Sequence, residues 1–180
     1  MVDDKRLIWR VRRGDKQALR QIYEKYKDEL FTIACLLLND NSAAQDILHN
    51  VFVAFAAGAG HFRLYGSLRC YLITRVVNSV RQNSQEKMYQ VVEVDRSMRS
   101  GSGSAGREQE VLAGESSELL VEALSKLPLS QREVIILHLL GSMKFREIAG
   151  LQDITLSTAE SRYHYGLDKV RSVLHSEVKE

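Results

Sequence analysis

Residues 145–174, FREIAGLQDITLSTAESRYHYGLDKVRSVL, constrain the fold more than any other stretch, because they read as two helices joined by a tight turn. Phe145, Ile148 and Ala149 recur at the three-and-four spacing of one buried helix face, with Lys144, Arg146 and Glu147 outside it. Gln152-Asp153 breaks the pattern, and Ile154 is placed to fill the gap between the helices. Thr155 is a good N-cap for the second helix, since its hydroxyl can accept an orphan backbone N–H. Ala159, Tyr163, Leu167, Val170 and Leu174 then carry an apolar stripe for about four turns. At about 100° per residue the opposite face carries Ser157, Thr158, Ser161, Arg162 and Tyr165. A short polar face near a helix N-terminus suits the major groove of DNA, where the first turns of a recognition helix meet base edges and phosphates. The same pattern also fits an ordinary amphipathic helix hairpin with a solvated outer face.

The rest of the chain is helical in character. One Pro and 7% aromatic residues, in a chain full of Leu, Ala, Arg, Glu and Gln, argue for helix, and no convincing alternating strand is present. A length of 180 residues suffices for one ordinary domain or two small ones. Net charge is only +2, so any basic footprint for nucleic acid must be local. Cys35 and Cys70 lie in apolar helical runs without CxxC or His partners, which fits buried free thiols in a reducing cytoplasm. No signal peptide opens the chain and no apolar run reaches membrane-spanning length, so no membrane insertion is expected.

Residues 3–13 form a short helix ended at Gly14, and Asp15 is placed to cap the next helix, which runs to Leu38. Ser42 followed by Gln45 has the spacing of a capping box for a third helix, with Ile47, Leu48, Val51, Phe52 and Phe55 on its buried side. Gln45, Asp46, His49 and Asn50 share the other side, either as a solvated face or as a docking surface for a partner protein. Residues 61–81 contain Arg63, Arg69, Arg75 and Arg81 and not one acid. Steps of six residues rotate about 240° each, so these arginines do not make a single stripe. Their positive potential beside Phe62, Tyr65 and Tyr71 is what a single-strand or distorted-duplex binder uses. Ser67 is the expected cap of this helix.

From Gln82 to Ser116 periodicity collapses into a Gly/Ser-rich, charged run that reads as a flexible linker. Beyond it come a helix over residues 119–127 stopped by Pro128, then a helix with Ser130 and Glu133 as a capping box and Gly141 as C-cap, then the opening hairpin. The fold class expected is all-α: two small helical domains, residues 1–84 and 117–180, joined by a linker over 85–116, the C-terminal one a helix-turn-helix.

The ordered segments ALRQIYEKYKDELFTIA, AAQDILHNVFV, FRLYGSLRCYLITRVVN, LSKLPLSQREVIILHLLG, FREIA and ITLSTAESRYHYGLDKVRSVL resemble the small sigma factors of bacterial RNA polymerase known as the extracytoplasmic-function type. The resemblance covers about four-fifths of the chain and implies that the first domain binds the polymerase clamp and opens the minus-ten element, while the second reads the minus-thirty-five element. It places Gln45, Asp46, His49 and Asn50 on the polymerase-docking helix, with Gln45, His49 and Asn50 departing from the usual residues. It places Arg63, Arg69, Tyr71, Arg75, Asn78 and Arg81 in the minus-ten segment, with Asn78 retained, Tyr71 in place of a usual Trp and Arg75 at a commonly aliphatic position. There it implies capture of an unstacked base with Arg side chains on phosphates. Ser157, Thr158, Glu160, Ser161, Arg162 and Tyr165 fall on the recognition helix, Glu160 standing where Lys is frequent and able to accept from a cytosine amino group. Asp153 replaces the usual turn Gly and tolerates the left-handed conformation.

The partners implied are core RNA polymerase and promoter DNA, and the resemblance admits an anti-sigma factor as well. A second reading is a self-sufficient dimeric helix-turn-helix regulator that binds DNA without polymerase. An enzyme is not expected, since no nucleophile-base pair, phosphate loop or metal-ligand cluster is evident, and no cofactor or metal is implied.

Overall fold

A computed structural model describes the backbone of residues 2–59, 67–95 and 115–177, and side chains of residues 3–59, 67–85 and 119–175. Its described residues form eight α-helices and no strand. They are α1 (Val2–Arg12), α2 (Lys16–Leu38), α3 (Asn41–Gly58), α4 (Leu68–Asp95), α5 (Glu115–Ser125), α6 (Leu129–Leu139), α7 (Phe145–Gln152) and α8 (Leu156–Glu177). The chain is thus all-α with two helical domains, α1 to α4 and α5 to α8. Among the described residues no helix is long and apolar enough to cross a membrane.

Local chemistry sets the helix ends. Gly14 adopts φ +82° after α1, a value that disfavours any side chain. Asp15 then caps α2 as expected, its Oδ1 accepting from the N–H groups of Gln17 at 2.8 Å and Ala18 at 3.1 Å. Asn39 ends α2 in the left-handed region at φ 53°. The cap of α3 differs from the sequence reading: Asp40, extended at φ −150°, accepts from Ala43 N–H at 3.0 Å. Ser42 lies inside the helix and is exposed. A carboxylate one residue before the first turn is the stronger cap, because its charge also faces the positive helix end.

Two more boundaries differ. Helix α4 continues through Asp95 instead of fading at Gln82, and α5 begins at Glu115, ahead of residue 119. Residues 82–95 hold Gln, Glu, Lys and Met without Gly or Pro, so helix propensity persists where apolar periodicity does not. The flexible linker expected over 85–116 lies partly on α4 and α5, and its middle, residues 96–114, falls outside the described residues.

Helix α2 is the hub, packing against α1, α3, α4, α5 and α6. Ile22, Leu30 and Ile33 of α2 meet Leu7 and Ile8 of α1, Ile47, Val51 and Phe55 of α3, and Leu68, Leu72 and Val76 of α4 in one buried cluster. Each such side chain contributes about 1.5–3 kcal/mol when fully buried. The same cluster takes in Val134, Ile136, Leu137, Met143 and Ile148 from the C-terminal half, so the two domains share a continuous apolar core. A smaller cluster of Ala123, Leu124, Leu127, Ile135 and Val170 closes the C-terminal domain, and Leu36 of α2 packs against both.

Candidate functional site

The turn between α7 and α8 is built as its residues require. Asp153 takes the left-handed conformation at φ 53° and ψ 49°, and the Ile154 N–H donates to the Ala149 carbonyl at 3.0 Å. Thr155 Oγ1 accepts from the Thr158 N–H at 3.2 Å, capping α8. Helix α8 seats Ala159 and Val170 inward, and Gly166 lets it approach α6 so closely that a Cβ there would stand 2.7 Å from Ile135 Cδ1. An aromatic cluster fixes the remaining angle: His138 of α6 stacks on Phe145 of α7 at 4.2 Å, and Tyr163 of α8 meets both rings edge-on. With those contacts made, Ser157, Glu160, Ser161 and Tyr165 face outward, Tyr165 at 70% exposure, while Thr158 and Arg162 are half-buried.

On α3, Gln45, Asp46, His49 and Asn50 are all exposed, opposite the buried Ile47, Leu48 and Val51. Gln45 and His49 also line a groove that the sequence did not announce, floored by Leu19, Tyr23 and Phe52 and rimmed by Lys16, Arg20 and Lys27. Tyr23 of α2 and Phe52 of α3 meet edge to face in it, with centroids 4.9 Å apart.

The arginines of the acid-free stretch divide. Arg75 and Asn78 of α4 are exposed one turn apart, and Tyr71, half-buried on the same face, packs against Phe55 at 6.2 Å. Arg63, Phe62 and Tyr65 lie outside the described residues. Arg69 and Arg81, expected in the minus-ten segment, reach across to the C-terminal domain in this structure. Arg69 pairs with Glu29 and donates to the carbonyls of Gly141 and, at 2.9 Å, Leu140. Arg81 grips Glu133 bidentately, Nε to Oε1 at 2.9 Å and Nη2 to Oε2 at 2.6 Å, and donates to the Leu151 carbonyl at 2.9 Å. These sites are drier than a solvated helix face and end in acceptor oxygens, which is where a guanidinium with five donors settles.

Glu133 is the unexpected member. Read from sequence as a capping-box acid, it is 2% exposed and caps nothing: α6 starts after Pro128 without a side-chain cap. Gln152 Nε2 donates to Glu133 Oε2 at 2.8 Å and to the Ser130 carbonyl at 3.0 Å, while its Oε1 accepts from Arg162 at 2.7 Å. From the other side Arg132 sends Nη1 to the Leu37 carbonyl at 2.8 Å, its burial pushing the guanidinium pKa down. The legible signal was spacing, since Glu133 stands four residues before Leu137, on the buried face of α6. Among the described residues no group of His, Cys, Asp and Glu could hold a metal ion.

Known proteins match both halves of this arrangement. Residues 22–85 match the family Sigma-70 region 2, and residues 117–170 match Sigma-70, region 4. The chain is 23% identical to the ECF RNA polymerase sigma factor SigW of Bacillus subtilis over 94% of its own length and 96% of that protein's. It is 25% identical to the ECF RNA polymerase sigma factor SigK of Mycobacterium bovis over 93% and 91%. Among solved structures, the sigma factor RpoE in complex with the anti-sigma factor NepR from Bartonella quintana superposes with a TM-score of 0.70 at 18% identity, covering 87% of this chain and 96% of that one. CnrH in complex with the cytosolic domain of CnrY gives 0.67 at 19% identity, covering 97% and 98%. With a region 2 and a region 4 in order across about two thirds of its length, the chain belongs to the sigma-70 family of RNA polymerase sigma factors, in its extracytoplasmic-function (ECF) type.

Proposed function

We propose that this chain binds core RNA polymerase through the exposed side of α3 and directs it to promoters, with α4 at the minus-ten element and α8 at the minus-thirty-five element. The observation that carries this is the pairing of a region 2 with a region 4 whose last helix, α8, turns Ser157, Ser161 and Tyr165 to solvent. Two sigma-70 regions account for both halves, which disfavours a self-sufficient regulator with a separate sensing or dimerisation domain. The functional units are residues 1–84 and 117–180, with 85–116 between them.

In this reading Gln45, Asp46, His49 and Asn50 meet the polymerase clamp. Tyr71, Arg75 and Asn78 meet the opened minus-ten strand, where stacking on an aromatic ring and cationic contact to phosphate hold an unpaired strand. Ser157 and Thr158 donate to phosphate at the positive end of α8, and Glu160, Ser161, Arg162 and Tyr165 lie against base edges or the backbone. The role is regulatory and non-catalytic, and it is exercised in the cytoplasm with the polymerase. RpoE was solved with the anti-sigma factor NepR and CnrH with the cytosolic domain of CnrY, which supports an anti-sigma factor as a further partner of this chain.

Run-off transcription with purified core polymerase tests the reading. Transcripts that depend on added protein support it; specific binding to a palindrome without polymerase, and no dependence of transcription on the protein, would replace it with the regulator.

A further inference from the structure

The cleft between the domains is lined by Arg81, Leu129, Ser130, Glu133, Gln152 and Arg162. At its base the Arg81 guanidinium presents two parallel N–H donors to the two oxygens of Glu133. That is the fork geometry by which arginine also takes a phosphate. From these contacts we infer that Glu133 is an internal stand-in for a DNA phosphate: in the free chain it occupies Arg81, and strand and carboxylate compete for the same guanidinium. The inference rests on the proposed role of α4 at the minus-ten strand.

Two features of the seam fit a contact made to be exchanged. Glu133 has polar partners from both sides, Arg81 of α4 and Gln152 of α7, so when the domains part it keeps Gln152 and gains water instead of being left bare. The Arg81 side chain is 28% exposed although Glu133 is 2% exposed, so solvent and a strand reach the arginine from the open side of the cleft. Gln152 also holds Arg162, so the acid that occupies the minus-ten arginine is one residue removed from the recognition-helix arginine. Release of Arg81 leaves that Gln152–Arg162 bond in place, so the exchange frees one cation, Arg81, for DNA. Apparent affinity in such a system equals intrinsic affinity scaled by the fraction of molecules in the competent state.

The test uses the full-length chain without polymerase, a single-stranded oligonucleotide carrying a minus-ten non-template strand, and Glu133→Gln. Removing the carboxylate charge should tighten oligonucleotide binding about tenfold, and steepen the salt dependence by about 0.7 in log–log slope, the increment for one further phosphate contact to a single strand. Small-angle scattering should show the variant more expanded than the parent chain. Arg81→Ala in the Glu133→Gln background should remove the gain. In the parent chain, saturating oligonucleotide should itself cause the expansion, a readout that needs no variant to fold. If Arg81→Ala weakens promoter opening by the polymerase complex but Glu133→Gln leaves free-chain binding, slope and size unchanged, the competition is refuted while the α4 reading stands. If Arg81→Ala leaves promoter opening unchanged, the α4 role of Arg81 fails and the inference fails with it.

Discussion

Arg162 donates to the side-chain oxygen of Gln152 at 2.7 Å, a bond that reaches from the second turn of α8 back to the last residue of α7. The guanidinium is thereby tethered beside the face that carries Ser161 and Tyr165. Arg162→Ala should therefore lower transcription from an otherwise strong promoter by about 1–3 kcal/mol of binding free energy if the side chain reads a base. Arg162→Lys should recover little, because an ammonium cannot reproduce the two-pronged contact. Promoter titrations with the polymerase complex decide this: equal promoter use by the parent chain and Arg162→Ala would take the residue off the DNA-contact surface.

Asp46 is exposed on α3 and makes no contribution to the core, so reversing its charge tests docking without testing folding. Asp46→Arg is expected to reduce co-purification with core polymerase while helicity and melting temperature stay unchanged. Normal recovery of the complex would move the docking surface away from this side of α3.

Two glycines separate close approach to backbone from close approach to a side-chain tip. A Cβ on Gly141 would lie 2.5 Å from the Leu137 carbonyl oxygen, and the main chain of buried α6 must shift to admit it. A Cβ on Gly166 would press on Ile135 Cδ1, a side-chain tip that can rotate, with Ile135 Cγ1 and Gln131 Cβ at ordinary contact distance, and alanine gains about 1 kcal/mol of helix propensity over glycine. Gly141→Ala should cost about 1–3 kcal/mol, and Gly166→Ala should be close to neutral. Urea melts followed by circular dichroism give the order, and a reversed order would show that α8 is the tighter seam.

The clip between α1 and α2 should make stability depend on pH at both extremes. Burial of Asp4 opposes its charge, but hydrogen bonds from Lys25 at 2.6 Å and Tyr26 at 2.8 Å outweigh it and hold the carboxyl below its ordinary value. Burial, reinforced by the bond to Asp4, pushes the Tyr26 hydroxyl up to about 12. A lowered acid stabilises above its unfolded pKa, and a raised phenol stabilises below its own. The clip is thus complete between about pH 4 and pH 10. It weakens below that window as Asp4 gains a proton and above it as Tyr26 loses one. Asp4→Asn should flatten the acid limb of a urea-midpoint profile, and an unchanged limb would locate acid sensitivity elsewhere.

Much of this was readable from side-chain spacing. The stripe of α8, the Asp15 and Thr155 caps and the left-handed Asp153 turn are local features, each fixed by residues within one or two turns, and the structure has them where the sequence places them. What escaped was set by groups distant in sequence. Ser130–Glu133 has the spacing of a capping box, yet Arg81, some fifty positions earlier, offers the carboxylate a better partner than an exposed backbone N–H. Arg69 and Arg81 stand in an acid-free run, and the acids that pair with them lie outside it on α2 and α6. No window of local sequence contains both members of such a pair. The length of α4 was missed for the opposite reason, because propensity without periodicity leaves no buried face to recognise.

The three arginines that bridge the domains have one acceptor class in common: Arg69 reaches carbonyls just past α6, Arg81 one near the end of α7, and Arg132 one at the end of α2. Each cation therefore meets the negative end of a helix dipole. A peptide oxygen is present whichever amino acid occupies the receiving position, so substitutions at Leu37, Leu140 or Leu151 leave the acceptor in place. These carbonyl bonds can thus survive mutational drift at the receiving positions, whereas the three arginines and the acids Glu29 and Glu133 that pair with two of them have no such latitude.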